Sequence, residues 1–225
     1  MMILKKNKEA VFEHVRQATK AAHRPEDSVH IIAVTKYVDA QVAKELCETG
    51  IEHIAENRVD KFLDKYQALK EENLTWHLIG TLQRRKVKDV INYVDYFHAL
   101  DSVKLAAEIQ KRAEHPIKCF LQVNISEEET KHGFKASEVE AALSEIAAFD
   151  KIELVGLMTM APLAATKEEI ADIFNQTQEL NHHLHHLHLP RMPFTELSMG
   201  MSGDYDIAIQ KGATFVRIGS AFFEE

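Results

Sequence analysis

Lys36 ends an apolar run, Val29 to Thr35, that reads as a buried strand. Runs of this kind, β-branched and aliphatic with little alternation, suit a parallel sheet covered on both faces. Ligands meet such sheets at the carboxyl ends of the strands. A lysine there can be desolvated, which lowers its pKa and leaves a neutral amine to attack a carbonyl. Taken alone, a strand-end lysine more often just emerges into solvent. Near the other end of the chain, Ser198-Met199-Gly200-Met201-Ser202-Gly203-Asp204 is a glycine- and hydroxyl-rich turn ahead of a short helix, Tyr205 to Lys211. Glycines let backbone N–H groups approach an anion, serine hydroxyls add donors, and a helix start adds partial positive charge. A lone turn of this type usually does no more than cap, with Ser202 or Asp204 as N-cap. Here it precedes a second apolar run, Thr214 to Ile218, which carries Arg217 and ends in Gly219 and Ser220. An amine, an anion cup and an inward arginine together suit a carbonyl compound that bears a phosphate.

For these groups to meet, the two ends of the chain must lie side by side. Strand-like segments recur about every 25 residues and alternate with helical ones, the pattern of βα units around a parallel sheet. Strands are expected near Val29 to Thr35, His53 to Ala55, Thr75 to Ile79, Tyr96 to Leu100, Ile117 to Asn124, Ile152 to Met158, Phe194 to Leu197 and Thr214 to Ile218. Asp39, Asn57, Asp101, Ser137, Thr166 and Asp204 are plausible helix caps, and Gly50 and Gly212 are plausible stops before strands. Eight strands with seven intervening helices, plus a leading helix from Lys5 to Ala22, imply a single (β/α)8 barrel of the TIM type over residues 1–225. The leading helix would cover the seam usually covered by a helix after the last strand. A doubly wound open sheet is the alternative, but it gives the first and last strands no shared site.

Composition agrees with one such domain. The chain has 225 residues, 45% hydrophobic and 28% charged, which is soluble globular usage. A net charge of −8 argues against non-specific binding to nucleic acid or anionic membranes. No stretch reaches the length of a membrane span, and the start, Met1 to Lys8, lacks a signal-peptide core. Cys47 and Cys119 have no metal- or redox-spaced partner and read as buried reduced thiols, so a cytoplasmic location is expected.

The residues also match a known family. Ala33-Val34-Thr35-Lys36, Glu56-Asn57-Arg58, Trp76 to Gln83, Gln122-Val123-Asn124-Ile125, Lys131-His132-Gly133-Phe134, Gly156-Leu157-Met158, Leu197 to Ser202 and Val216 to Ser220 follow one another in that order. In this the chain resembles the pyridoxal phosphate homeostasis proteins, the YggS/PROSC group, with a barrel like that of alanine racemase. The resemblance implies that Lys36 holds pyridoxal 5′-phosphate (PLP) as an internal aldimine. It further implies that Ser202 and the backbone of Gly219 and Ser220 hold the phosphate, and that Arg217 faces the pyridine nitrogen. Asn57, Ser198 and Met199 would lie close to the ring. The implied partners are PLP and the apo-enzymes that receive it, with no nucleic acid and no membrane, and the chain is expected to be a monomer. Three positions depart from the commonest pattern: Ala55 where glycine often precedes Glu-Asn, Arg85 where asparagine often precedes Lys86, and a C-terminal Ala-Phe-Phe-Glu-Glu without the usual glycine. None removes a group that would touch the cofactor.

Three functions compete on this reading. The first is a PLP-binding protein of cofactor homeostasis with little or no catalysis. The second is an amino-acid racemase of the alanine racemase type, which needs two bases; this chain has the lysine, and no second domain that could bring a tyrosine is expected. The third is a Schiff-base aldolase on phosphosugars, for which no acid/base partner of Lys36 stands out. His182, His183, His185, His186 and His188 look like a metal tract, and His182 with His186 could pinch zinc or nickel. They fall beside or opposite the apolar stripe of their helix, and no carboxylate or cysteine is placed to complete a site, so no metal is expected. Arg84 to Lys88 is a basic run at a helix start that reads as a solvated face.

Overall fold

The computed structural model describes residues 2–128 and 132–224. Met1, Lys131 and Glu225, which entered the sequence reading, lie outside them. The order is α1 (Met2–Ala21), β1 (His30–Val34), α2 (Ala40–Cys47), β2 (His53–Glu56), α3 (Val59–Leu69), β3 (Thr75–Leu78), α4 (Val87–Val90) and β4 (Tyr96–Leu100). It continues with α5 (Val103–Arg112), β5 (Ile117–Gln122), α6 (Val139–Ile146), β6 (Ile152–Met158), α7 (Lys167–His185), β7 (Glu196–Ser198), α8 (Tyr205–Gln210) and β8 (Phe215–Ile218). Each strand runs parallel to the next, and β8 returns to β1 in the register His30↔Phe215 to Ala33↔Ile218. The sheet is therefore a closed barrel, and the doubly wound alternative is excluded. No helix among the described residues is long and apolar enough to cross a membrane.

The caps show how local sequence sets the element ends. Asp39 accepts the Val42 N–H, and Thr166 forms a reciprocal box with Glu169. At α5 the cap is Ser102, whose hydroxyl accepts the Leu105 N–H, and not the expected Asp101. At α3 the cap position falls to Arg58, whose side chain makes no capping bond, because β2 runs on to Glu56 and Asn57 turns to the barrel mouth. Ser137 lies inside a 3-10 turn, Ala136–Glu138, instead of capping α6. The seventh strand starts two residues later than expected. Phe194 sits at φ 44°, a left-handed conformation no strand accommodates, and its buried ring packs into the core instead.

Helix α1 closes the ring of helices. It packs between α8 and α2, and Asn7 Nδ2 donates to the carbonyls of Phe222 and Glu224 at 3.1 and 2.7 Å. It thus covers the seam, as the sequence suggested. The histidine-rich end of α7 is engaged in structural bonds: His183 contacts Glu140 at 2.7 Å, and His185 Nδ1 donates to the Pro193 carbonyl at 2.7 Å.

The barrel interior is not the usual stack of branched aliphatic side chains. Phe215 stands among His53, His77, Tyr96, His98 and Phe120 with ring centroids 5.2 to 6.4 Å away. His77 stacks on Tyr96 at 4.9 Å and His98 on Phe120 at 4.4 Å. The aromatic rings supply the apolar contact area, and the imidazoles bond one another through their edges.

Candidate functional site

A cavity of about 760 Å³ opens at the carboxyl ends of the strands. Lys36, just beyond β1, and Asn57, just beyond β2, line it with Arg217 from β8 and with Ser202, Gly219 and Ser220. Closure of β1 on β8 is what brings residue 36 beside residues 217–220. Ser198 and Met199 are not among the lining residues; both are fully buried behind it. Gln122, Asn124 and His132 also line the cavity.

The lysine differs from expectation in one respect. Its side chain is exposed, with the ammonium 4.8 Å from the centroid of the Tyr37 ring, so it is solvated and not desolvated. The buried amine belongs to Lys65 of α3, 2% exposed, which pairs with Glu56 and donates to the Thr35 carbonyl at 2.8 Å. Thr35 Oγ1 also donates to Glu56 Oε1 at 2.7 Å. A buried ion pair thus clamps the backbone immediately before Lys36, while the lysine itself stays free to reach into the cavity.

The turn after β7 forms the opposite wall. Gly200 has φ 98°, and a Cβ there would lie 2.6 Å from Ala208 Cβ, so only glycine lets the turn sit on α8. Its carbonyl accepts the Arg217 N–H at 2.9 Å. The buried Asp204 carboxylate accepts the Met201 N–H at 2.7 Å, tying the turn together instead of capping α8. Burial raises its pKa; the Met201 N–H and Arg217 oppose the shift. Ser202 Oγ accepts the Gly219 N–H at 3.4 Å. At Gly203, which also lines the cavity, an added Cβ would meet no atom within 4 Å, leaving room for an occupant.

Arg217 is 4% exposed and forms part of the cavity floor. Its Nη1 donates to Ser198 Oγ at 2.6 Å and its Nη2 to the Thr159 carbonyl at 3.2 Å. Burial lowers its pKa to about 10, against the pull of Asp204, so it remains a cation at neutral pH. Below it, Ser198 Oγ lies 2.7 Å from His98 Nδ1, His98 Nε2 lies 2.8 Å from His77 Nδ1, and His77 Nε2 lies 2.9 Å from His53 Nδ1. In the sequence, His77 stands out only as part of the Trp76 to Gln83 motif, and nothing assigns a role to it, to His53 or to His98. The available signal was a histidine in each of three successive strands.

Burial lowers the pKa of all three. His53 falls to about 4, with His30 adding to the effect and Glu52 opposing it; His77 and His98 fall well below the usual value. An unfolded histidine takes up its proton near 6.5, so below that pH the unfolded chain binds more protons than the folded one. Stability should be full above pH 6.5 and fall as the pH drops from there through about 4. Urea midpoints measured stepwise from about pH 7.5 to about pH 5 should decrease; a flat series would contradict the neutral, buried state.

The closed barrel falls in the class of the alanine racemase N-terminal domain, a family that matches residues 7–224. Within this class, the chain belongs to the pyridoxal phosphate homeostasis protein family. Such a protein from Aquifex aeolicus is 37% identical over 218 residues, covering 96% of this chain and 95% of its own. The structure of PipY from Synechococcus elongatus PCC7942, with PLP bound, superposes with a TM-score of 0.82 at 33% identity, over 93% of this chain and 98% of that one. An unknown protein from Bifidobacterium adolescentis gives a TM-score of 0.94 at 30% identity, over 99% and 95% of the two chains.

Proposed function

We propose that the chain binds PLP, holds it through Lys36 as a Schiff base, and serves intracellular PLP homeostasis with little or no turnover of its own. One observation carries this reading: the Lys36 amine, the buried Arg217 cation and the Ser202–Gly219 donors line a single cavity. The donor set fits the cofactor, which offers an aldehyde to the amine, a phosphate to hydroxyl and N–H groups, and a ring nitrogen to the arginine. When bound, it supplies an electrophilic carbon conjugated to an electron-withdrawing ring. Ser202 and the backbone of Gly219 and Ser220 hold the phosphate, and Asn57 lies beside the ring. Ser198 acts through Arg217 and Met199 supports the turn from behind. The expected partners remain apo-enzymes that need the cofactor, and the expected setting is a cytoplasmic monomer.

Arg217 also favours holding over turnover. A guanidinium only donates and stays protonated, so it supports an unprotonated ring nitrogen and limits the ring as an electron sink. The holo-protein should therefore exchange α-protons of amino acids slowly in D2O. Exchange at an ordinary enzymatic rate, on the order of 10 per second, would identify a racemase instead. The phosphate assignment has its own test. Ser202→Ala should weaken cofactor retention by about 0.5 to 1.5 kcal/mol, or up to about 3 kcal/mol if the bond is charge-assisted. Titration of the apo-protein followed by absorbance measures it, and an unchanged affinity removes Ser202 from the phosphate site.

A further inference from the structure

The file His53–His77–His98–Ser198–Arg217 crosses the whole barrel interior. It starts at a cavity between α1 and the amino ends of the strands, lined by His30 and His53, and ends at the cavity lined by Arg217. Buried imidazoles are costly unless their ring nitrogens are paired, and His77 and His98, both fully buried, use both nitrogens within the file. Filling a barrel needs no such arrangement, since aliphatic side chains do it without desolvation cost.

The direction of the hydrogen bonds follows from the end that holds the charge. Arg217 can only donate, and its Nη1 donates to Ser198 Oγ. The serine has one proton, and its other partner among the described residues is His98 Nδ1. A proton on that nitrogen would aim two donors at the serine oxygen and leave the serine proton buried without an acceptor. The serine therefore donates to His98 Nδ1. His98 then carries its proton on Nε2 and donates to His77 Nδ1, and His77 donates from Nε2 to His53 Nδ1. His53 keeps its proton on Nε2, at the lower cavity. One guanidinium sets three tautomers. In return, the file gives Arg217 a neutral acceptor, Ser198, whose hydroxyl cannot rotate away without breaking its bond to His98.

We infer that His98, acting through Ser198, is a positioning residue for Arg217, and that the file holds the guanidinium at the cavity floor where it meets the ligand. The last clause rests on the PLP-binding reading; the tautomers do not. The test has two arms. In the first, histidine ¹⁵N spectra of the full chain before cofactor is added should show His53, His77 and His98 as Nε2–H tautomers. A proton on Nδ1 of any of them overturns the inference whether or not PLP binds.

The second arm compares His98→Asn with His98→Leu. The asparagine carbonyl stands near the position of Nδ1 and can accept the serine proton, whereas leucine fills the space and accepts nothing. His98→Leu should loosen PLP by roughly tenfold or more and shift the absorption maximum of the bound cofactor, and His98→Asn should restore most of both. Equal losses in the two variants, or PLP binding and spectra like wild type in His98→Leu, would make the file mere filling. If His98→Leu does not fold, a wild-type spectrum in His98→Asn supports the inference only together with the three Nε2–H tautomers, and a shifted one counts against it. Wild-type protein that takes up no PLP defeats the proposed function and leaves the tautomer arm to decide the file.

Discussion

Lys36→Ala is expected to abolish the yellow, borohydride-fixable adduct with PLP while leaving the barrel folded. The lysine side chain is exposed, and its only described partner is the Tyr37 ring, so truncation should change stability by no more than about 0.5 kcal/mol, as for other surface sites. Lys65, the amine that lies behind the same strand end, cannot take over. It is 2% exposed and bound to Glu56 and the Thr35 carbonyl, and drawing it out would leave the Glu56 charge buried without its partner. Peptide mapping of borohydride-treated wild type should therefore find the pyridoxyl group on the peptide containing Lys36. Finding it on Lys65 or any other lysine would refute the assignment.

Among the glycines, Gly156→Ala should be the most damaging methyl addition. Gly156 pairs with Glu196 where β6 meets β7, and a Cβ at 156 would lie 1.7 Å from the Glu196 carbonyl oxygen. Both atoms belong to paired backbone, so neither can swing aside as a side-chain end could. The strands must part, and β7 carries Ser198, the partner of Arg217. We expect a loss of at least about 3 kcal/mol, the upper part of the usual overpacking range, read as a lower urea midpoint. Gly203→Ala is the control, since its Cβ meets no atom within 4 Å and should cost less than about 0.5 kcal/mol in stability. Similar midpoints for the two variants would show that the β6–β7 contact is looser than described.

The barrel was legible in the sequence because parallel strands buried on both faces appear as unbroken apolar runs, and because helices alternate with them at regular intervals. Strand ends were less so. The run from Phe194 looked like strand, but periodicity does not report a left-handed residue. Caps depended on where each strand stopped, which is why Asp101 gave way to Ser102 and Asn57 to Arg58. The cavity was legible as motifs: Lys36, Ser202, Arg217, Gly219 and Ser220 all reach it. What the motifs could not say is depth. Ser198, the last residue of β7, and Met199 stand close to Ser202 in sequence but lie behind the wall, and Lys36 stands in solvent while Lys65 is the buried amine. The histidine file was hidden for a related reason. A single histidine in a strand reads as packing, and only the stagger between neighbouring strands joins His53, His77 and His98 into one line.

The joining of β1 to β8, and of Asn7 to Phe222 and Glu224, has a consequence for the order in which the protein is made. α1 and β1 are synthesised well before β8, yet they have no permanent neighbours on one side until β8 has left the ribosome. Closing so long a loop is entropically costly and slow compared with local helix formation. A nascent chain therefore has its lysine long before it has the wall that faces it. On the proposed reading, an incomplete chain would meet the aldehyde with a bare amine and no cup, and capture of the cofactor would belong to the closed barrel alone.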